Sequence, residues 1–403
     1  MKAYRLESGL SYLPAYGNFS GLGISLSVKA GSFGQTKKES AHALEHLLFC
    51  NKIDNKKAVE TLAFLSNGNY NGLTDLDSIS FYALVPAPEA KTATEVFSKM
   101  IQNSSFDEND INHEKTALKL ELLGFDTPSS RQSLILCDKM YNNRQLNEAL
   151  RPATDSEINS LNKADLLEFY DEFFTPNNLS IAFFSNLSKD YIGFLVNNYF
   201  GEFGNTHKSK NIEIPKAVYN TDTAIIYSNA FKKSRLGFGL PLVPRTLENG
   251  ACRSYIYTIS YVLSQNLQNL LRYDKGLVYS TKHYLEFNKT LGYFVLEIDS
   301  LEEDAPAVEK IVKNELDRIK SGEFSKEDIS KINFSNIYNK NITRRFSPLE
   351  QALNISRFYE DYVESDHTNT DESDKIDLDY LRKVSNEYFG SDKLSEVVIH
   401  PEK

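Results

Sequence analysis

The sequence predicts an α+β fold made of two homologous α/β-sandwich halves, each with a mainly antiparallel sheet packed against helices. A chain of 403 residues is longer than one hydrophobic core usually serves. Apolar and small residues alternate at 22–28 and again at 236–242, and each segment is followed by a turn and a helical pattern. Strands arrive in pairs instead of alternating strictly with helices, which favours antiparallel pairing within each half.

The other elements follow from hydrophobic periodicity and from end signals. Predicted strands lie at 78–85, 179–184, 291–298 and 395–400. Predicted helices lie at 90–103, 110–123, 165–174, 250–272 and 306–321, and Gly322 is the expected C-terminal cap of the last one. A polar stretch without periodicity at 204–211 indicates a linker. We therefore expect domains at 1–203 and 219–403, joined by a linker at 204–218.

Composition excludes several classes of protein. The net charge of -10 argues against nucleic acid and anionic membranes as partners, and it mildly favours basic or neutral substrates. Three scattered cysteines are too few for a disulfide framework and fit a reducing compartment. The first residues lack the apolar stretch of a secretory signal, and no window has the length and apolarity of a membrane span. We expect a soluble, cytoplasmic protein.

The run from His42 to His46, with Glu45 between them, carries the strongest chemical signal. At 3.6 residues per turn, His42, Glu45 and His46 project within an arc of about 100° on one helix. Neutral imidazoles are good zinc ligands, and a carboxylate beside a polarised water can accept its proton. The pattern H-x-x-E-H is that of the inverted zincins. A helix that merely exposes these side chains is the alternative, so a third ligand must be found.

A second predicted helix offers that ligand. Glu114 and Glu121 are seven residues apart, which places both carboxylates on one face of the helix at 110–123. Glu121 could complete a site with the two histidines. Spacing alone fits an ordinary surface helix with solvated acids better, and that alternative stays open here. His113 lies on the same helix and points away from that face.

The spacing of these residues resembles the M16 (pitrilysin and insulinase) metallopeptidases, in the subfamily of short subunits that includes the mitochondrial processing peptidase. That family has H-x-x-E-H followed some 75 residues later by a glutamate ligand, as His46 and Glu121 are here. The resemblance implies that His42, His46 and Glu121 bind Zn²⁺ and that Glu45 is the general base. Glu114 takes the place of the family's supporting acid.

Further segments match the same family. Segment 68–74 resembles the element whose strand lies beside a bound peptide, which implies that Asn71 and Thr74 contact substrate. Arg272 and Tyr279 stand at the spacing of a pair that contacts substrate, although a basic residue at a helix end and a strand tyrosine both have ordinary structural explanations. Two shorter matches lie at 126–128 and 174–179.

Two departures from the family pattern stand near the site. Residues 39–41 read Glu-Ser-Ala where relatives often have a glycine, and Gly72 stands where alanine is common. We expect neither departure to touch a metal ligand. Cys50 follows His46 on the same helix, and we interpret it as a small packed residue and not as a fourth ligand.

The resemblance implies a zinc-dependent endopeptidase that cleaves unfolded peptides inside a chamber formed by two chains. Its N-terminal half would hold the metal, and an inactive C-terminal repeat would supply substrate contacts. Because this chain has both the metal motif and the Arg272–Tyr279 pair, a homodimer is favoured, with a heterodimer with a related subunit as the alternative. A non-catalytic scaffold or partner subunit is the rival function, and a purely structural zinc site is a further one.

Overall fold

The computed structural model describes residues 2–102, 105–125, 127–141, 143–203, 209–212, 218–246, 248–338, 348–357 and 376–402. Most of the predicted linker, at 204–208 and 213–217, lies outside the described residues, as does Asp126 of the match at 126–128. Residues 209–212 are described, and the Lys210 amine bonds to the Glu172 carboxylate at 2.9 Å.

The secondary structure agrees with the predicted elements to within a few residues. The described strands are β1 (Tyr4–Arg5), β2 (Ser11–Tyr16), β3 (Gly21–Val28), β4 (Lys52–Ile53), β5 (Lys56–Lys57), β6 (Tyr70–Thr74), β7 (Ile79–Pro86), β8 (Leu179–Ser185), β9 (Thr223–Ser228), β10 (Ser234–Leu242), β11 (Val278–Phe287), β12 (Gly292–Ser300) and β13 (Ser395–Pro401). The described helices are α1 (Ser40–Cys50), α2 (Ala58–Ser66), α3 (Ala90–Gln102), α4 (Glu108–Phe125), α5 (Pro128–Met140), α6 (Arg144–Leu150), α7 (Asp155–Ser160), α8 (Lys163–Phe173), α9 (Lys189–Phe200), α10 (Gly250–Gln268), α11 (Ala305–Lys320), α12 (Lys326–Tyr338), α13 (Pro348–Arg357) and α14 (Leu378–Tyr388).

The chain folds into two compact units, but each unit borrows a segment from the other half of the sequence. The first unit consists of Met1–Leu123, Pro152–Glu213 and Ile342–Asp371, and the second consists of Gly124–Arg151, Ile214–Asn341 and Glu372–Lys403. The expected continuous domains at 1–203 and 219–403 do not anticipate these two exchanges. They arise because α13 packs on the sheet of the first unit and α5 packs on the sheet of the second.

In the first unit, a six-stranded sheet has the order β1-β2-β8-β3-β7-β6. All neighbouring strands are antiparallel except β2 and β8. The alternation at 22–28 predicts a half-buried strand, but all eight residues of β3 are buried. The reason is that α13 covers the second face: the Ser356 hydroxyl bonds to those of Ser25 and Ser27 at 2.7 and 2.8 Å.

In the second unit, a five-stranded sheet has the order β11-β12-β10-β13-β9, with only β13 and β9 parallel. Here α5 covers β10 closely. A Cβ added to Gly237 would lie 2.8 Å from the Gln132 side chain, and one added to Gly239 would lie 2.4 Å from the Met140 sulfur. Each unit thus has a central strand covered by an exchanged helix. The prediction of two homologous α+β halves with mainly antiparallel sheets is confirmed.

The helix that follows the central strand differs between the units in one decisive respect. In the first unit it is α1, which carries the two histidines, and it packs against β6, α2 and α8. In the second unit it is α10, and residues 252–271 contain no His, Asp or Glu. None of the helices in the described ranges combines the length and the apolarity that crossing a bilayer requires.

Candidate metal centre

The α1 helix presents His42 and His46 side by side. One helical turn separates them, their ring centroids are 4.9 Å apart, and the ring planes lie at 89° to each other. Both side chains are about one-fifth exposed, at 21% and 20%. Glu45 on the same helix is buried, with 6% of its surface exposed. Solvent therefore reaches the two imidazoles of this segment but not the Glu45 carboxylate.

The α4 helix brings Glu121 to the same place. Glu121 Oε2 lies 3.6 Å from His42 Nε2 and 3.4 Å from His46 Nε2. Three ligand atoms of these residues lie within 4.8 Å of one another, and this is the one group of potential metal ligands found in the described part of the chain. Tetrahedral zinc with bonds of about 2.0–2.2 Å separates its ligand atoms by about 3.3–3.6 Å. The donor set and its spacing fit zinc.

The outward nitrogen of each histidine meets a carboxylate. His46 Nδ1 is 3.0 Å from Glu114 Oε2, and His42 Nδ1 is 2.9 Å from Glu39 Oε2. Carboxylates in this position fix the ring orientation of a metal-binding histidine and leave Nε2 free to bind. The alternative of solvated acids on α4 therefore does not hold for Glu114 or Glu121, because both face the imidazoles.

Two residues near the centre play parts that the sequence does not reveal. Glu39 belongs to a departure that we expected to touch no metal ligand, and that expectation is wrong because its carboxylate bonds to His42. The three-residue spacing from Glu39 to His42 was the available signal. Cys50 is buried as expected, but its thiol also donates to Glu114 Oε1 at 3.3 Å.

Burial and neighbouring charges shift the pKa values of these groups. Burial raises the pKa of Glu45, although the two histidines oppose the shift. Hydrogen bonding to His46 lowers the pKa of Glu114 despite partial burial. Burial acts to lower the pKa of His42, but the bond to Glu39 and the nearby carboxylates outweigh it, so that pKa is raised. Burial and Glu114 raise the pKa of the Cys50 thiol to about 12.

Glu45 rests against strand β6. The Thr74 hydroxyl donates to Glu45 Oε2 at 2.7 Å, and a Cβ added to Gly72 would lie 2.0 Å from Glu45 Oε1. The glycine at 72 therefore leaves the space that the carboxylate fills. In the described residues β6 hydrogen-bonds to β7 on one side only, and the Asn71 side chain on this outer strand is exposed.

Arg272 and Tyr279 lie together in the second unit. The Arg272 guanidinium is 4.7 Å from the centre of the Tyr279 ring and 5.3 Å from that of Tyr273. The predicted helix at 250–272 ends as α10 at Gln268 and continues as a π-helical turn over Asn269–Asp274, a geometry often found at functional sites. Tyr279 is 78% exposed and lines a cavity of about 420 Å³.

Comparison with known sequences matches both halves of the chain. The family described as "Insulinase (Peptidase family M16)" matches residues 18–153, which include the whole candidate centre. The family described as "Peptidase M16 inactive domain" matches residues 160–334.

Individual relatives agree with these matches. The uncharacterized zinc protease YmxG of Bacillus subtilis is 26% identical over 253 residues, which cover 60% of this chain and 59% of that protein. Mitochondrial-processing peptidase subunit beta of Bos taurus is 24% identical over 220 residues, which cover 52% of this chain and 44% of that protein. The chain thus spans about half the length of these curated relatives.

Solved structures show the same fold over the whole chain. A protease from Helicobacter pylori superposes with a TM-score of 0.81 at 15% identity and covers 99% of both chains. A peptidase M16 inactive domain from Pseudomonas fluorescens has a TM-score of 0.80 at 14% identity and covers 100% of this chain and 98% of that one. With both sequence halves matched and the inverted zincin motif inside the first match, the chain belongs to the M16 peptidase family.

Proposed function

We propose that this protein is a zinc-dependent endopeptidase that hydrolyses unfolded peptides. The observation that carries the proposal is the convergence of His42 Nε2, His46 Nε2 and a Glu121 oxygen, with Glu45 on the same helix as the histidines. Three protein ligands leave a position open, which is typical of catalytic zinc and not of structural zinc. Relatives named zinc proteases support the choice of metal.

Zinc held by His42, His46 and Glu121 would polarise a peptide carbonyl and make a water molecule more acidic. Glu45 accepts the proton of the attacking water and passes it to the leaving amine. Burial supports this role because it raises the pKa of Glu45, which makes the carboxylate a stronger base. Glu114 orients His46 through Nδ1.

The substrate would bind in an extended conformation along β6. Among the described strands β6 pairs only with β7, and an outer strand of this kind can add a further strand through main-chain hydrogen bonds, which recognise any extended peptide. Asn71 is exposed on this strand, and Thr74 at its end contacts Glu45. The net charge of -10 favours basic or neutral peptides, which include leader and targeting peptides.

We further propose that Arg272 and Tyr279 contact the substrate and stabilise the oxyanion, and that two copies of the chain enclose the reaction chamber. The guanidinium–ring contact between the two side chains supports a joint role. Because one chain has both the metal ligands and this pair, a homodimer with two sites is the simpler assembly, and a heterodimer with a related M16 subunit is the alternative. Free Cys50, Cys137 and Cys252 support a cytoplasmic setting.

The rival function is a non-catalytic partner subunit. The match to the "inactive domain" covers residues 160–334 and so contains none of the proposed ligands. His42, Glu45, His46 and Glu121 are all present in the other match, whereas a subunit that has lost catalysis has no need of both ligands and base. The metal-binding half therefore favours the peptidase.

Zinc content and peptide hydrolysis test the proposal together. The purified protein should contain about one zinc per chain, and it should cleave a quenched fluorescent peptide in a reaction that a chelator stops and added zinc restores. His42→Ala should lose both properties, while His113→Ala, which changes an exposed histidine on α4, should keep them. Bound zinc without turnover of any member of a mixed peptide library would favour the partner subunit.

A further inference from the structure

Glu39 has a backbone conformation that its residue type disfavours. It directly precedes α1, with φ 67° and ψ 5°, in the left-handed region where a side chain with Cβ is crowded and glycine is not. A residue before a helix often compensates by capping the first backbone N–H groups, but the Glu39 side chain makes no such hydrogen bond. Local structure therefore does not explain the glutamate.

The carboxylate of Glu39 is used elsewhere. Glu39 is only 9% exposed, and its Oε2 lies 2.9 Å from His42 Nδ1. An ionised carboxylate can only accept a hydrogen bond, so His42 Nδ1 carries a proton, and in the neutral imidazole that can bind a metal the lone pair is then on Nε2. That Nε2 is the atom that lies 3.6 Å from Glu121 Oε2. The left-handed backbone of Glu39 thus places its buried carboxylate against the imidazole of His42.

We propose that Glu39 is a positioning residue for the metal ligand His42. It holds the tautomer and the ring orientation that bind zinc, as Glu114 does for His46. This inference rests on the proposed zinc function. The competing explanation is that Glu39 only stabilises the positive N-terminal end of α1, which would affect stability and leave zinc affinity unchanged.

The test compares zinc affinity and thermal stability in matched variants. Glu39→Gly removes the carboxylate and suits the left-handed backbone, while Glu39→Gln keeps the side-chain volume and removes the charge. Asn55→Gly is the control, because Asn55 is an exposed residue of the β4–β5 turn with almost the same φ, 68°. Zinc dissociation constants come from competition with a chromophoric chelator, and stability comes from the Tm of the metal-free protein.

Glu39→Gly should weaken zinc binding by about 10–100-fold, the usual effect of removing the partner of a ligating histidine. Glu39→Gln should weaken it less, because an amide oxygen still accepts the Nδ1 proton. Asn55→Gly should bind like the wild type. The metal-free Tm of Glu39→Gly should not fall, since glycine relieves the backbone crowding.

Zinc affinity within twofold of the wild type in both Glu39 variants would overturn the inference, as would an equal loss in Asn55→Gly. If Glu39→Gly does not fold, the affinity of Glu39→Gln decides. A wild type that binds no zinc would overturn the proposed function and this inference with it. Normal zinc binding and turnover with unchanged affinity in the Glu39 variants would overturn the inference alone.

Discussion

Replacement of Glu45 by glutamine separates catalysis from metal binding. Glutamate and glutamine side chains have the same shape, so Glu45→Gln preserves packing at a position that is 6% exposed. The Thr74 hydroxyl, which lies 2.7 Å from Glu45 Oε2, can still donate to the amide oxygen of glutamine. Glu45 is not among the three residues whose ligand atoms converge. Because burial disfavours its charge and raises its pKa, loss of that charge should not destabilise the metal-free protein.

The expected effect on catalysis is large. Proton transfer by a positioned side chain contributes about 10²–10⁴-fold to rate, which corresponds to about 3–5 kcal/mol of barrier. We expect kcat of Glu45→Gln to fall by that factor in a quenched-peptide assay, with zinc content and zinc affinity within about twofold of the wild type. Glu108→Gln, at an exposed position in the first turn of α4, is the matched control. A kcat within tenfold of the wild type, or loss of zinc from Glu45→Gln, would refute the assigned role.

Three further results are expected. Residues that only hydrogen-bond to a metal ligand typically change metal affinity by up to roughly 100-fold. Glu121→Ala should weaken zinc binding by more than this, as chelator competition would measure, whereas His113→Ala should not weaken it. Tyr279→Phe should lower kcat/KM by about 10²–10³-fold if its hydroxyl stabilises the oxyanion, with zinc affinity unchanged; an unchanged kcat/KM would exclude that role. The thiols of buried Cys50 and half-buried Cys137, whose pKa values are raised to about 12 by their surroundings, should resist iodoacetamide at pH 8, since only the thiolate reacts; rapid labelling of the native protein, detected by mass spectrometry, would contradict the raised pKa values.

Local sequence patterns predicted the elements well because each pattern reflects one element alone. The helix expected at 306–321 is observed as Ala305–Lys320, and Gly322 after it has the positive φ of 76° that favours glycine. The exchanges of α5 and α13 were not predictable in this way. Periodicity shows that a helix has an apolar face, but it does not show which of two sheets that face will cover.

Local patterns also did not predict that both faces of β3 are buried. Alternation of apolar and small residues indicates a strand with one buried face, and such a strand at 22–28 would leave Ser25 and Ser27 on the solvent face. These serines are instead buried against Ser356 of α13, more than three hundred residues away in the sequence. Buried hydroxyls that bond to each other are stable without water, so polar small residues do not by themselves mark an exposed face.

One part of the metal centre follows from local sequence, and another part depends on contacts between distant segments. The pairing of His42 with His46 follows from one helical turn, but the approach of Glu121 depends on how α1 and α4 pack, and spacing alone favoured a solvated helix. Only the family resemblance supplied that contact in advance. The tertiary structure then brings the carboxylate to 3.4 Å from His46 Nε2.

Both departures from the family pattern lie against residues of the metal-binding motif. Glu39 places an additional carboxylate on His42, and Gly72 leaves the space that the Glu45 carboxylate fills, because a Cβ there would lie 2.0 Å from Glu45 Oε1. Each change therefore alters the surroundings of a residue that the family motif requires. The motif itself specifies ligand and base but not what holds them in place, so differences among M16 chains in metal affinity and in the resting position of the base should depend on such neighbours.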